Sequence, residues 1–494
     1  MASPRLLHSL LVPLDRAAEA TLQAQVREGI RGAITKGALV PGARLPSVRT
    51  LTTALRVSRT TVALALQELI EEGLLVTRER SGTFVASQVQ RRPPSPASEG
   101  MRTGAVLRLS RRGEELARSA QRFPDRPRPR AFRLSRPALE LFPIREWNRL
   151  LAKRAARLTV AQLDYDQESP RLCAAIAELV SAARGIPIHP SQVMLFAGSQ
   201  RALEFAATCL LEPGDQAWME EPGYPGARQV LRSVGAQVVA VPVDEGGLSV
   251  HAGERLAPRA RLAYVTPSNQ FPLGVAMDLP RRRELLRWAD AADACVVEDD
   301  YDVEFSEQGG ALPALFALDG SARVLYVGSF SRSLFPASRL GYLIAPGALA
   351  ETLRAARSTL EEQLPSLLQL TLADFISEGL FARHVRKMRT VYTARRDALV
   401  EAVRATDLLP LQGEPQGLHA VVGLPAGVDP TRVASLAALQ RLEVRPLSDF
   451  CVGEPRPALV LGFGAVRAEE VGPAVETLVG IVESEQGAGK RRRR

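Results

Sequence analysis

The sequence predicts a multidomain chain: a small α+β unit near the N-terminus, then a large α/β sandwich with a mostly parallel sheet. Three observations carry this expectation. The 494 residues exceed what one ordinary core accommodates. Residues 15–87 read as three helical patterns followed by two short strand-like runs. From 131 to 482, amphipathic segments alternate with short apolar runs, the pattern of helices packed on a buried sheet.

In the first unit a helical pattern runs from Ala17 to Lys36, with Leu22, Val26, Ile30 and Ala33 on one face. Gly37, Pro41 and Gly42 stop it. Ser47 caps a second helix over Val48–Leu55, and Ser58 caps a third that turns Val62, Leu66 and Leu69 inward and ends at Gly73. Leu74–Thr77 and Thr83–Ala86 then pair through the turn Arg80-Ser81-Gly82. Three helices and such a hairpin make a winged helix-turn-helix.

Residues 88–130 are rich in Arg and Pro and cannot build a core, so they read as an extended linker. A weak helical patch near Glu114–Ala120 interrupts it. In the large domain the expected strands are Val193–Phe196, Gln216–Glu220, Gln237–Val241, Arg261–Thr266, Ala294–Glu298, Val324–Val327 and Gly341–Ile344. Gln200–Leu211, Arg281–Ala291 and Leu349–Leu364 are expected helices between them. Residues 483–494 read as a basic, disordered tail.

Composition excludes several classes. With 46% hydrophobic residues the chain is not globally disordered. No apolar run reaches the roughly 18–20 residues that cross a bilayer. Leu6–Leu14 is interrupted by His8 and Pro13 and makes a poor signal peptide, so a cytoplasmic location without a membrane partner is expected. The four cysteines are widely spaced, which predicts buried, reduced thiols and no metal site. Only four of the 63 basic residues are lysine: Lys36, Lys153, Lys387 and Lys490. The net charge of +9 is by itself weak evidence for a nucleic-acid partner.

The third helix opens with Ser58-Arg59-Thr60-Thr61, hydroxyls and an arginine suited to base edges and phosphates. The strings Pro41-Gly42, Leu45-Pro46-Ser47-Val48-Arg49, Val57-Ser58-Arg59-Thr60-Thr61-Val62 and Gly82-Thr83-Phe84-Val85 resemble the winged helix of GntR-type regulators. The resemblance implies double-stranded DNA as partner, contacted by Arg49, Ser58, Arg59, Thr60, Thr61 and Gly82; Arg80 stands at the wing tip.

In the large domain Gly198-Ser199-Gln200 lies between a strand and a helix, where free amides face an anion. Ser329, Ser331 and Arg339 follow another strand and can complete that cradle. Glu298-Asp299-Asp300-Tyr301 closes a further strand, where open α/β sheets place ligand groups. Tyr224, within Glu221-Pro222-Gly223-Tyr224-Pro225-Gly226, offers an aromatic face.

These segments, with Thr266-Pro267-Ser268-Asn269-Gln270-Phe271-Pro272, resemble the fold-type I aminotransferase-like effector domain of MocR-type regulators. The resemblance implies a PLP-dependent transferase-like fold with a small C-terminal α+β subdomain, and a homodimer on repeated DNA half-sites. It also implies a pyridoxal 5'-phosphate pocket: Tyr224 on the ring, Asp299 at the ring nitrogen, and Asn269 and Tyr301 near the ring hydroxyl. Ser199, Gln200, Ser329, Ser331 and Arg339 would hold the phosphate.

One departure outweighs the agreement. In the family, the lysine that forms a Schiff base with the cofactor follows Gly-Ser-Phe-Ser. Here Gly328-Ser329-Phe330-Ser331 is followed by Arg332. A guanidinium, with a pKa above roughly 12, supplies no neutral amine. Transamination is therefore expected to be absent or vestigial. Three outcomes stay open for the pocket: Arg332 pairs with a bound phosphate or carboxylate, the cofactor binds non-covalently, or the pocket is empty or holds another small anion. Asp164-Tyr165-Asp166-Gln167-Glu168-Ser169-Pro170 lacks the glycines usual in that region, and Ala458–Phe463 lacks a substrate-carboxylate arginine, leaving Arg445, Arg456 and Arg467 as substitutes.

The leading expectation is thus a sequence-specific transcription regulator, not an enzyme. Its large domain senses a ligand or only dimerises. The alternative is a PLP-dependent aminotransferase with a DNA-binding appendage.

Overall fold

The computed structural model describes residues 14–16, 18, 20–78, 81–86, 108–110, 112–114, 117, 130–163, 168–305, 312–360, 364–453 and 456–492. The chain divides into two compact units, Met1–Arg108 and Leu109–Arg494.

The first unit holds α1 (Leu22–Thr35), α2 (Val48–Leu55), α3 (Arg59–Glu71), β1 (Leu75–Arg78) and β2 (Gly82–Val85). The helices start where a hydroxyl caps them: Thr21, Ser47 and Ser58 each accept a backbone N–H from the first turn. The helix expected from Ala17 begins at Leu22, because Thr21 takes the cap position. Val26, Ile30, Leu51, Val62, Leu66, Leu69, Leu75 and Val85 form the core. Their spacing of three to four on α1 and α3 is what turns one face of each helix inward. β1 and β2 pair antiparallel, with Leu75 opposite Val85 and Arg78 opposite Gly82. Arg44 adds an antiparallel bridge to Phe84.

Most of 88–130, read as a linker, lies outside the described residues, as does Asp164–Gln167. Residues 112–114 are helical, two residues ahead of the patch expected at Glu114. They belong to the second unit, where the Arg112 guanidinium lies against Gly235.

The second unit begins with α4 (Ile144–Ala155) and α5 (Pro170–Arg184). Then come β3 (Val193–Phe196), α6 (Ser199–Leu210), β4 (Gln216–Glu221), α7 (Pro225–Ser233), β5 (Gln237–Asp244), β6 (Gly247–Leu248), α8 (Val250–Leu256) and β7 (Leu262–Val265). They are followed by α9 (Leu279–Ala291), β8 (Cys295–Asp299), α10 (Leu315–Leu318), β9 (Val324–Ser329), β10 (Gly341–Ile344) and α11 (Gly347–Leu360). The central sheet has the order β3-β10-β9-β8-β7-β4-β5-β6. β4, β5, β7, β8 and β9 run parallel; β10 is antiparallel to both neighbours. β3, β7 and β10 are buried along their whole length, as strands covered on both faces must be.

α12 (Ser366–Ser377) and α13 (Leu380–Arg404) lead to a smaller antiparallel sheet, β11 (His419–Gly423), β13 (Ala458–Gly462) and β12 (Arg445–Pro446) in that order, with α14 (Pro430–Leu439) and α15 (Ala468–Arg492) beside it. α15 corrects the expected disordered tail from 483, since the helix continues to Arg492. Leu478 and Val482 are buried in the subdomain core, and Glu485 pairs with Arg432 at 2.6 Å, which anchors the helix beyond 483. Cys173 is buried, and Cys209, Cys295 and Cys451 are half-buried rather than fully buried as expected; none is in a disulfide. Among the described residues no helix is long and apolar enough to cross a membrane.

Candidate functional site

In the first unit the start of α3 carries the candidate polar surface. The Ser58 hydroxyl accepts the Thr61 N–H at 3.0 Å and lies 2.7 Å from the Thr61 hydroxyl. Arg59 and Thr60, and Arg49 on α2, are exposed. Gly82 has φ of 108°, a conformation that favours glycine. Arg80 lies outside the described residues. Sequence reasoning missed Arg44: its guanidinium sits beside Gly82, where a Cβ would come within 3.3 Å of its Nε. The only signal was a lone arginine ahead of Leu45-Pro46-Ser47.

In the second unit the strand ends surround a cavity of about 280 Å³. Nine of the ten sequence-predicted residues line it: Ser199, Gln200, Tyr224, Asp299, Tyr301, Ser329, Ser331, Arg332 and Arg339. One wall is the start of α6, where Gly198 (φ 93°) leads into Ser199. Gly341 on β10 passes so close that a Cβ there would collide with the Gly198–Ser199 backbone at 2.6–2.7 Å. The Ser329 hydroxyl donates to the Ser331 hydroxyl at 3.0 Å and accepts the Ser331 N–H at 3.1 Å, so the two stand together. Arg339 is exposed at the same cavity. The α6 amides, these hydroxyls and the guanidinium suit an anion.

Tyr224 donates to Gln200 Oε1 at 3.3 Å, and the Gln200 amide is held by the Gly226 carbonyl at 2.8 Å. At the end of β8, Asp299 is buried. Tyr264 donates to its Oδ2 at 2.7 Å, and its Oδ1 has no partner among the described residues. Burial pushes the Asp299 carboxyl up to about 6, against the pull of the Tyr264 hydrogen bond. An unmatched acceptor of this kind fits a cationic ring N–H.

Asn269 does not line the cavity. Its side-chain amide donates to Asp302, at 3.0 and 3.1 Å, and its main-chain carbonyl accepts the Tyr301 hydroxyl at 2.9 Å. Of the two residues expected near a ring hydroxyl, Tyr301 lines the cavity and Asn269 stands behind it, joined to Tyr301 by that hydrogen bond. Gly417 makes room for the arrangement: a Cβ there would collide with the Asp302 carboxylate.

Arg332 enters the cavity already held. It donates to Asp302 Oδ2 at 3.3 Å and to the Ser135 hydroxyl at 2.9 Å, and its guanidinium carbon lies 4.2 Å from the Tyr301 ring centroid. Its side chain is 13% exposed and that of Asp302 only 1%, so the pair is screened little by water. Burial raises Asp302 to about 6, opposed by Arg332. Burial first, then Arg332, holds His419 down to about 3, so it is neutral. Among the described residues no lysine lines the cavity. Arg445 and Arg467, paired with Asp449 and Glu470, and the exposed Arg456 do not line it either. Sequence reasoning missed Ser135, Tyr264 and Asp302.

The comparisons agree with this division. Residues 22–85 match the family described as bacterial regulatory proteins, gntR family, and residues 142–458 match aminotransferase class I and II. The chain is 37% identical over 476 residues to the Rhizobium meliloti protein named "Probable rhizopine catabolism regulatory protein MocR", covering 95% of each. It is 37% identical to the "HTH-type transcriptional regulator TauR" of Rhodobacter capsulatus, covering 79% of this chain and 81% of that one. It is 30% identical to the "HTH-type pyridoxine biosynthesis transcriptional regulator PdxR" of Corynebacterium glutamicum, covering 93% and 96%. Among solved structures, the α-aminoadipate aminotransferase LysN of Thermus thermophilus superposes with a TM-score of 0.66 at 26% identity, over 77% of this chain and 96% of that one. A multiple substrate aminotransferase from Thermococcus profundus gives 0.68 at 24% identity over 77% and 98%, a likeness of fold alone. The chain belongs to the MocR-type GntR regulators: a DNA-binding transcription regulator whose winged helix is joined to a fold-type I aminotransferase-like domain.

Proposed function

We propose that this regulator binds operator DNA through the start of α3 and the wing, and that its large domain holds a phosphorylated ligand non-covalently, without turnover. Ser58, Arg59, Thr60 and Thr61 contact the DNA with Arg49, Gly82 and the wing-tip Arg80. A homodimer presents two such units to repeated half-sites. The working compartment is the cytoplasm.

The single observation that carries the cavity reading is Arg332, held by Asp302, Ser135 and Tyr301 in a cavity with no lysine among its described lining residues. Pyridoxal 5'-phosphate fits the remaining groups. The α6 start, Ser329, Ser331 and Arg339 suit its phosphate, Tyr224 its ring face, and the unpartnered Asp299 Oδ1 its ring nitrogen. When bound, that group supplies an electron-poor ring that stabilises developing negative charge. Here Asp299 orients the ring, the hydroxyls fix the phosphate, and no described side chain at the cavity offers a neutral amine to tether it. Differential affinity of the ligand for two states of the protein then sets DNA binding.

Thermal unfolding with pyridoxal 5'-phosphate tests this. Ligand at about 100 times its Kd adds about 2.7 kcal/mol to stability. A shift that survives borohydride treatment without mass gain by the chain supports the reading. No shift with the cofactor, its vitamers or inorganic phosphate supports a domain used only to dimerise.

A further inference from the structure

Arg332 does more than remove an amine: it fixes a positive charge on the cavity wall. Two of its N–H groups are engaged by described residues, one on Asp302 and one on Ser135. A guanidinium has more donors than these two, in a planar fork that matches a carboxylate. Its counter-charge does not cancel it for a ligand, because Arg332 lines the cavity whereas Asp302 does not. The guanidinium cannot easily swing away. Doing so would leave the buried Asp302 carboxylate with only the Asn269 amide, which is costly.

We infer that the cavity selects among phosphorylated pyridine ligands by the charge of the substituent that faces Arg332, taking a carboxylate or carbonyl oxygen and rejecting an ammonium. The inference rests on the non-covalent reading above and names its ligand class. Asp299, at the end of β8, meets the cationic ring N–H and the hydroxyl cradle meets the phosphate. Two polar groups of the ring are then left, its hydroxyl and its 4-substituent, and Arg332, at the position the family resemblance gives to the Schiff-base lysine, faces the 4-substituent. A carboxylate there completes a charge-assisted pair, a carbonyl oxygen accepts one N–H, and an ammonium meets a like charge in a poorly solvated site.

Calorimetric titration of the full-length protein with three probes tests this: 4-pyridoxic acid 5'-phosphate, pyridoxal 5'-phosphate and pyridoxamine 5'-phosphate, with inorganic phosphate as reference. The expected order of affinity is carboxylate, aldehyde, amine, with the ends separated by at least about tenfold, as like-charge juxtaposition dictates. In Arg332→Gln the separation collapses. The ranking in the unaltered protein needs no variant, so a folding defect in Arg332→Gln leaves the inference testable. Amine binding as tight as carboxylate overturns the selectivity while leaving the non-covalent reading intact, as does an undiminished gap in a folded Arg332→Gln. Failure of all three probes to outbind inorganic phosphate overturns both.

Discussion

The guanidinium carbon of Arg332 lies 4.2 Å from the ring centroid of Tyr301. Tyr301 is itself fixed by its hydrogen bond to the Asn269 carbonyl, so the cation rests on a rigid face. Position 332 therefore carries a built contact, and restoring an amine there has a defined chemical outcome.

Arg332→Lys places an amine at that position without the fork that spans Asp302 and Ser135. Incubation with pyridoxal 5'-phosphate and borohydride should add one pyridoxyl group at the substituted position, read by peptide mass. Recovery of that peptide unmodified would mean the cavity does not present the cofactor to this position.

Asp299 gives a pH signature. Its carboxyl is pushed up to about 6 in the folded chain from an ordinary 3.8, so between those values the folded state binds more protons than the unfolded one. Its contribution to stability is full below about pH 4 and is lost as pH rises through about 6. Urea unfolding of the full chain across this range should show that loss relative to Asp299→Asn. Parallel pH profiles for the two proteins contradict the account.

Ser58 separates helix capping from DNA contact. Its hydroxyl accepts the Thr61 N–H, and aspartate serves that role equally well. Ser58→Asp should change unfolding stability by less than about 0.5 kcal/mol, whereas Ser58→Ala costs about 1 kcal/mol. The introduced carboxylate should repel phosphates and weaken binding to every DNA sequence. Undiminished DNA binding by Ser58→Asp removes this helix start from the interface.

Arg59→Ala should cost about 1–3 kcal/mol of operator affinity and relax discrimination at one base pair if the guanidinium reads a base edge. Equal weakening on operator and unrelated DNA, with a shallower salt dependence, assigns it to a phosphate instead. Competitive gel-shift titration at two salt concentrations distinguishes the cases.

Local chemistry was legible in the sequence, and long-range chemistry was not. β3 and β10 stand at the expected residues, because β3 is an apolar run between Gln192 and the Gly198 turn, and β10 is one that opens on Gly341 and stops short of Pro346. α2 was legible from Ser47. The cradle residues could be found because glycine and hydroxyls sit next to strand ends. The partners of Arg332 could not: Ser135 is 197 residues away and Asp302 is 30. Ser135 lies in no motif, and only the fold brings it to the cavity. The partner of Asn269 was hidden for the same reason, since nothing in its own segment shows that Asp302 takes its amide. α15 outran the expected tail because the ion pair between Arg432 and Glu485 joins segments far apart in sequence.

The most direct measurement is the intact mass of the unaltered protein after saturation with pyridoxal 5'-phosphate and borohydride reduction. The expected result is a chain of unchanged mass, with the cofactor recovered in the small-molecule fraction as its alcohol, pyridoxine 5'-phosphate. A stoichiometric pyridoxyl adduct on any side chain would contradict the non-covalent reading.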